Sequence, residues 1–279
     1  MPIYDQGYRR YRGLRAPRVR AWAVIARTGA RTLLRRRLFV SLLVLAWSPF
    51  FVRAVQLYAA ANLPQASFLA PTPAMFRRFL DSQDIFVFFV AVYAGAGLIA
   101  NDRRANALQI YLSKPLTRTG YVFGKLSILM LFLLLVSWVP SMLLLAVQVL
   151  FAGNFTFVIE NLYLLPVITV FSLVQACTAS IVILALSSLS KNSRFVGILY
   201  AALVFMTRAV FNTLWAITSD SSWSWIGFTT NLAQIGDAIF GLPTRYATPV
   251  PVAGAALVVV LVLSVVVLAR RVRGVEVVS

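Results

Sequence analysis

Residues 121–150 read YVFGKLSILMLFLLLVSWVPSMLLLAVQVL, a run of thirty residues with one charged side chain, Lys125. A helix needs about 20 apolar residues to cross a hydrocarbon core that is about 30 Å thick. This run is long enough for a tilted helix or for a helix that is broken at Pro140. It therefore predicts a transmembrane helix.

Five further apolar runs lie on either side of it. They cover residues 38–60, 85–100, 162–189, 195–217 and 250–268. The sequence thus predicts an all-α polytopic membrane protein with six transmembrane helices. We expect three parts: a basic cytoplasmic N-terminus over residues 1–37, a transmembrane domain over residues 38–268 and a short cytoplasmic tail over residues 269–279.

The composition excludes several classes of protein. Of the 279 residues, 60% are hydrophobic and 12% are charged, whereas soluble domains carry about 25% charged residues. The chain has no His and one Cys, Cys177. A disulfide framework, a zinc finger and a histidine-based catalytic site are excluded, and we expect no catalytic or metal site.

The basic residues are sorted between the loops. Lys and Arg number 26 against 8 acidic residues, and 21 of them lie before the first run, after the last run, in alternate loops or, for Lys125, at the loop end of the third run. The opposite loops hold three, which are Arg77, Arg78 and Arg245. The positive-inside rule then predicts an inner (plasma) membrane protein with both termini in the cytoplasm. A nucleic-acid-binding protein would gather its cations on one face, so nucleic acid is not an expected partner.

A basic segment precedes the first run. Between residues 17 and 35, apolar side chains such as Trp22 and Ile25 recur at helical spacing, and Arg27 and Arg31 fall on the opposite side. This pattern predicts an amphipathic helix in the membrane interface. Two roles stay open: it anchors the chain to anionic membrane lipid, or it docks a cytoplasmic partner.

The segment between the second and third runs, residues 101–126, reads NDRRANALQIYLSKPLTRTGYVFGKL. Asn101 or Asp102 can cap a short helix, which Pro115 ends. A chain reversal needs only a handful of residues. The extra length and an apolar stripe indicate that another element packs here.

This segment resembles the first cytoplasmic loop of the permeases in the second class of ABC exporters. The resemblance rests on the acidic and basic start at Asp102, on Leu112-Ser113-Lys114-Pro115-Leu116, and on Arg118, Tyr121, Gly124 and Lys125. Six spans, an interfacial N-terminal helix and a tail of arginines extend it over essentially the whole chain. Asn106 departs from the pattern, because many members have glycine there.

The resemblance implies a permease subunit whose cytoplasmic coupling helix, residues 102–112, sits in a cleft of a separate ATPase. The coupling role would belong to Asp102, Arg103, Arg104, Leu108, Tyr111 and Leu112. The implied partners are two copies of an ATP-binding subunit, which hold ATP and Mg, and a second permease copy or a homologous permease. The chain itself lacks the GxxxxGK(S/T) motif, so we expect that it binds no cofactor and is not an enzyme.

Two arginines, Arg53 and Arg208, fall inside predicted spans, where a central charge costs about 2.5 to 3.5 kcal/mol. Arg53 lies near the outer end of its span, and we expect it to snorkel to the interface. Arg208 lies about 14 Å below the end of its span, which is farther than a guanidinium easily reaches.

Arg208 shares a helical face with Phe205 and Asn212. In the family that the chain resembles, spans 2 and 5 surround the pathway, and span 2 here offers Phe89 and Tyr93. We hypothesise that these side chains contact an amphipathic or anionic cargo. The alternative is an arginine that bonds a neighbouring carbonyl or carboxylate for structure.

Two loops on the opposite side of the membrane are rich in apolar residues. We expect residues 62–84, which include Phe76, Arg77 and Leu80, to lie on the outer surface. Residues 218–248 are predicted to be interfacial, as a re-entrant pair of short helices.

The leading prediction is a permease that moves an amphipathic or lipid-like substrate, driven by ATP hydrolysis on its partner. A permease of the same kind could instead pass mechanical force to an outer protein without carrying cargo. An intramembrane enzyme is less favoured, because the acids near the spans are scattered. A secondary transporter is also less favoured, because we find no internal repeat and expect no intramembrane acid.

Overall fold

A computed structural model describes residues 21–107 and 117–272. Within these ranges the chain is helical and contains no strand. The α-helices are Ala21–Leu34, Arg37–Ala46, Ser48–Asn62, Pro73–Gly95, Ala100–Arg104, Arg118–Val136, Trp138–Ala152, Thr156–Glu160, Leu164–Leu189, Ser193–Ala201, Thr207–Thr218, Phe228–Ile239 and Val250–Arg271. Short 3-10 helices cover Pro64–Leu69 and Ser221–Ile226, and a π-helical turn covers Ala202–Met206.

In the described part of the chain, six helical stretches are long and apolar enough to cross a membrane. We number them spans 1 to 6: Arg37–Asn62, Pro73–Arg104, Arg118–Ala152, Leu164–Leu189, Ser193–Thr218 and Val250–Arg271. The predicted all-α class and the six spans are confirmed, and the structure fits a multi-pass membrane protein. Spans 2, 3 and 4 form the centre, because at least 50% of their most apolar stretch is buried, against at most 22% for the others.

Span 2 begins at Pro73 rather than at the predicted residue 85. Thr72 caps this helix by accepting a hydrogen bond from the Met75 N–H, and Pro73 occupies the first turn, where no backbone donor is needed. Residues 73–84, which the sequence predicts to be part of a loop, are therefore helical. The buried side chains there include Phe76, Arg77, Phe79 and Leu80.

The N-terminal helix Ala21–Leu34 packs lengthwise on the first turns of span 3. The contacting pairs advance together along both helices: Trp22 with Phe123, Ile25 with Gly124, and Gly29 with Ile128. A Cβ at Gly29 would overlap the Ile128 side chain, so the missing side chain permits the close approach. The two helices thus run side by side in the same direction.

Span 1 continues along the remainder of span 3. Phe39 packs edge-on against Phe132 with ring centroids 4.8 Å apart, and Tyr58 packs against Phe151 at 5.4 Å. Between the N-terminal helix and span 1 the chain bends at residues 35–36, because the first helix ends at Leu34 and the second begins at Arg37. This bend lies beside span 3 between Ile128 and Phe132. Most basic residues lie at the end of the bundle where span 3 begins, which we call the basic end.

The loop between spans 5 and 6 contains the two short helices that the sequence predicts, Ser221–Ile226 and Phe228–Ile239. The buried hydroxyls of Ser224 and Thr248 are 2.7 Å apart, which ties the first short helix to the start of span 6. The Gln234 amide donates to the carbonyl of Thr248 at 2.6 Å. We call Phe228–Ile239 the loop helix.

Candidate functional site

At the basic end, Asp102 joins span 2 to span 3. Its carboxylate accepts a hydrogen bond from the Tyr121 hydroxyl at 2.7 Å and pairs with Lys125 Nζ at 2.8 Å. The Lys125 ammonium also lies 5.4 Å from the centre of the Tyr121 ring. The Asp102 and Lys125 side chains are only 18% and 13% exposed, so solvent screens this ion pair less than a surface pair.

Two neighbouring contacts join the same segment to span 4. Span 2 breaks between Gly95 and Ala100, and the buried Ser187 hydroxyl accepts the N–H groups of Ile99 and Ala100 at 3.1 and 3.0 Å. The same hydroxyl donates to the Ala96 carbonyl at 2.8 Å. The Arg103 guanidinium donates to the Ser188 carbonyl. We call Asp102, Arg103, Tyr121, Lys125 and Ser187 the Asp102 cluster.

The predicted coupling residues are thus divided. Asp102 and Arg103 are held by the cluster, and Arg104 is exposed. Leu108, Tyr111 and Leu112 lie outside the described residues. Asn106 has φ 52°, in the left-handed region that glycine adopts at least cost. At this position, many members of the exporter family that the sequence resembles have glycine.

The predicted helix residues Trp22 and Ile25 pack on span 3, and Arg27 and Arg31 are exposed. A cleft of about 510 Å³ lies between this helix, the end of span 2 and the start of span 3. We call it the N-terminal cleft. Its polar and charged lining comprises Thr28, Thr32, Arg36, Asn101, Asp102, Tyr121 and Lys125, and its apolar lining includes Val24, Ile25, Leu33, Tyr93 and Leu98.

The structure brings together only part of the predicted cargo pathway. Phe205 and Phe89 both pack edge-on against Phe88, with ring centroids 4.9 and 5.3 Å away. Tyr93 instead stacks on Phe39 of span 1 at 5.4 Å and lines the N-terminal cleft. Helical spacing placed Phe89 and Tyr93 on one face, but Phe89 is exposed and its ring contacts the adjacent Phe88 of the same helix, whereas Tyr93 meets span 1.

Arg208 and Asn212 are exposed on the surface of span 5. Within the described residues Arg208 makes no ion pair, and it lies within electrostatic range of Asp84 on span 2. Arg53 differs, because its guanidinium donates to Gln56 Oε1 on its own helix at 2.7 Å.

Asp84 corrects another prediction. It lies inside span 2, where its carboxylate accepts a hydrogen bond from the Gln175 amide at 2.5 Å. The expectation of no intramembrane acid placed this side chain outside the span. It came from starting span 2 at residue 85, one position after this side chain.

At the opposite end, a closed charge network was missed. Arg77 Nη1 lies 2.6 Å from Asp81 and its Nε lies 3.1 Å from Asp237 of the loop helix. Arg245 bonds both carboxylates in turn. The Arg77 guanidinium stacks 4.4 Å from the centre of the Phe171 ring. The i, i+4 spacing of Arg77 and Asp81 was the one local signal of this network.

Burial would by itself lower the pKa of Arg245, but hydrogen bonds to Asp237 and Asp81 raise that pKa above its ordinary value. The guanidinium is therefore charged throughout the physiological pH range. The two guanidinium groups balance the two carboxylates in charge, which allows Arg77 and Asp237 to be buried.

In residues 21–107 and 117–272, no three His, Cys, Asp or Glu side chains come together as a metal site requires. Comparison with known protein families found no match, and comparison with curated proteins found none either. The family resemblance of residues 101–126 thus stays a prediction.

Proposed function

We propose that this chain is the transmembrane permease subunit of an ATP-driven ABC exporter in the plasma membrane. Two permease copies, or this chain and a homologous permease, would work with two copies of a cytoplasmic ATP-binding subunit. The sorting of basic residues, 21 against three, supports an orientation with the basic end and both termini in the cytoplasm.

The observation that carries the proposal is the Asp102 cluster. Through it, the segment after the break in span 2 is bonded to both span 3 and span 4. A force applied to this segment would therefore move three central spans together instead of bending a loop. A coupling element needs this connection, because ATP-driven closure of the ATPase must tilt helices inside the membrane.

In this proposal, a partner subunit hydrolyses ATP and so supplies the energy for transport. The chain has no GxxxxGK(S/T) motif to hold the phosphates of ATP. ATP and Mg would bind the partner, and this chain would supply the helices that move.

The exposed face of span 5 supports a pathway for cargo. Arg208 and Asn212 are exposed on a helix that is otherwise apolar enough to span a membrane. A charge that faces lipid at this depth is costly, so this face is expected to meet protein or water. A pathway between two permease copies would provide both, and Arg208 would attract an amphipathic anion.

The experiment is purification of the full chain from its native membrane, with identification of any stoichiometric partner that carries an ATP-binding motif. Deleting residues 102–112 should abolish that association. Deleting Thr156–Glu160, a short helix at the opposite end, is the matched control and should preserve it. Full activity of the chain without any nucleotidase would contradict the proposal.

Point variants then test coupling apart from docking. Asp102→Asn removes the charge that pairs with Lys125. The complex should still assemble, because the exposed Arg104 and the residues beyond it are unchanged, but cargo should stimulate ATP hydrolysis less. Transport of labelled lipid in proteoliposomes separates a cargo-carrying permease from one that only transmits force.

Asp84 favours a second candidate, an ion-coupled secondary transporter. Such transporters place ionisable residues inside the membrane, and Asp84 lies in a helix that is long and apolar enough to span one, where it bonds Gln175. This function would require transport that is driven by a proton or sodium gradient without nucleotide, and that Asp84→Asn abolishes.

A further inference from the structure

The N-terminal cleft extends across several levels of the bundle. At one end Tyr93 stacks on Phe39, which in turn packs against Phe132 of span 3. At the other end is Asn101, eight residues further along span 2 and beyond its break. The cleft thus begins among the apolar side chains of three spans and continues to polar residues at the basic end.

Arg36 immediately precedes span 1. It lies at the bend between the N-terminal helix and span 1, among three consecutive arginines at positions 35 to 37. Span 1 begins at Arg37 and is apolar from Leu38 onward. Arginines at the end of a span locate at the headgroup level, where their charge stays hydrated.

The charges of the cleft favour an anion. Arg36 is exposed, lines the cleft and makes no ion pair with any residue in the described ranges. The one acidic side chain in the lining, Asp102, is neutralised by Lys125. A phosphate at Arg36 would therefore meet a free guanidinium and no unpaired carboxylate.

The apolar side chains in the walls of the cleft favour a hydrocarbon chain next to the bound anion. Leu33 and Tyr93 line the part nearest to Phe39, and Leu98 lines the wall formed by span 2. A molecule that has both a phosphate and an alkyl chain can contact both Arg36 and these apolar side chains. A free anion would contact Arg36 alone.

We propose that the N-terminal cleft binds one anionic phospholipid, with its phosphate at Arg36 and the first part of an acyl chain against Leu33 and Tyr93. The bound lipid bridges the N-terminal helix and span 2, which the cleft keeps apart. The site belongs to this chain alone and does not rest on the proposed ATP-binding partner.

The test uses the full chain, purified in phosphatidylcholine-containing micelles at about 0.15 M salt, which screens non-specific attraction. Its unfolding temperature is followed during titration with phosphatidylglycerol, and the temperature should rise and saturate. Arg36→Gln should weaken the apparent affinity for phosphatidylglycerol about ten-fold through loss of a charge-assisted hydrogen bond. Thr32→Trp, which fills the cleft from an exposed position, should weaken it as well.

Arg35→Gln is the matched control, because Arg35 is adjacent, equally charged and absent from the lining. An equal loss in Arg35→Gln and Arg36→Gln would mean attraction to the general surface charge and would overturn the proposal. Unchanged binding in both Arg36→Gln and Thr32→Trp would overturn it too. Inorganic phosphate should give no stabilisation, and a rise equal to that with phosphatidylglycerol would assign the site to a free anion instead.

Discussion

Arg77 is 1% exposed, and its burial is tolerated because of what surrounds it. Two carboxylates, the Ala233 carbonyl and the Phe171 ring satisfy the guanidinium. A buried charge is costly when alone, and the same charge becomes acceptable when it is paired and fully hydrogen-bonded. Individual partners of Arg77 therefore decide the stability of the opposite end of the bundle.

Replacing Arg77 by Met should destabilise the protein by about 3–5 kcal/mol, because Asp81 and Asp237 would share the single cation Arg245. The measurement is the free energy of unfolding in detergent micelles. Arg78→Met is the matched control, since the neighbouring Arg78 is exposed, and its effect should stay within about 0.5 kcal/mol. Equal losses in both variants would show that the network contributes nothing specific.

Gly236→Ala should also destabilise the protein. A Cβ at Gly236 would lie 2.5 Å from Arg77 Nη2 and 2.6 Å from a Phe171 ring carbon, and such overpacking costs about 1–3 kcal/mol. Gly254→Ala in span 6 is the control, because nothing lies within 4 Å of its Cβ position. That substitution should be neutral or stabilising, since alanine suits a helix better than glycine. A stabilised Gly236→Ala protein would contradict the packing described here.

The helices of the spans are interrupted at positions where the backbone N–H groups need no helical hydrogen bond or find another acceptor. Pro49 and Pro140 each lie in the first turn after a break, which follows Ala46 in span 1 and Val136 in span 3, and a proline is tolerated there. The break in span 2 contains no proline, and it depends on Ser187 from another helix. This break places Asp102 and Arg103 beyond the bend, where they reach spans 3 and 4.

Ser187→Ala should leave the buried N–H groups of Ile99 and Ala100 without an acceptor, at a cost of about 1–3 kcal/mol. Hydrogen exchange at these two amides should become faster. Ser188→Ala is the control, because its hydroxyl bonds only the Ala185 carbonyl of its own helix, and its cost should stay below about 1 kcal/mol. Unchanged exchange at Ile99 in the Ser187→Ala protein would argue against this role.

Span 2 is bonded by charged side chains at both of its ends. Asp102 ties one end to span 3, and Arg77 ties the other end to the loop helix. Span 2 thus connects the Asp102 cluster at the basic end with the charge network at the opposite end. The proposed coupling role requires that a displacement at Asp102 passes through the break between Gly95 and Ala100.

The proposed orientation of the whole molecule rests on its charge sorting and can be measured. In a Cys177→Ser background, single cysteines would replace Arg78 at one end and Lys191 at the other, both of which are exposed. A membrane-impermeant maleimide added to intact cells should label Arg78→Cys, whereas Lys191→Cys should react only after permeabilisation. The reverse pattern would invert the proposed topology.

The number of spans and the separation of charges were readable from the sequence. The hydropathy of a segment is a sum over its own residues. It therefore identifies a span without any information about the neighbouring helices. For the same reason the start of span 2 was predicted too late, since Arg77, Arg78 and Asp81 lower the local sum. Their neutralisation depends on Asp237, which lies 160 positions from Arg77 in the chain.

Tertiary structure alone decided which neighbours each predicted face would meet. Helical spacing placed Phe89 beside Tyr93, but Phe89 is exposed, whereas Tyr93 stacks on Phe39 of span 1. The amphipathic pattern of the N-terminal helix likewise predicted a helix and could not predict that it packs lengthwise on span 3. Periodicity reports which side chains share a face, whereas the partner of that face depends on residues far away in the chain.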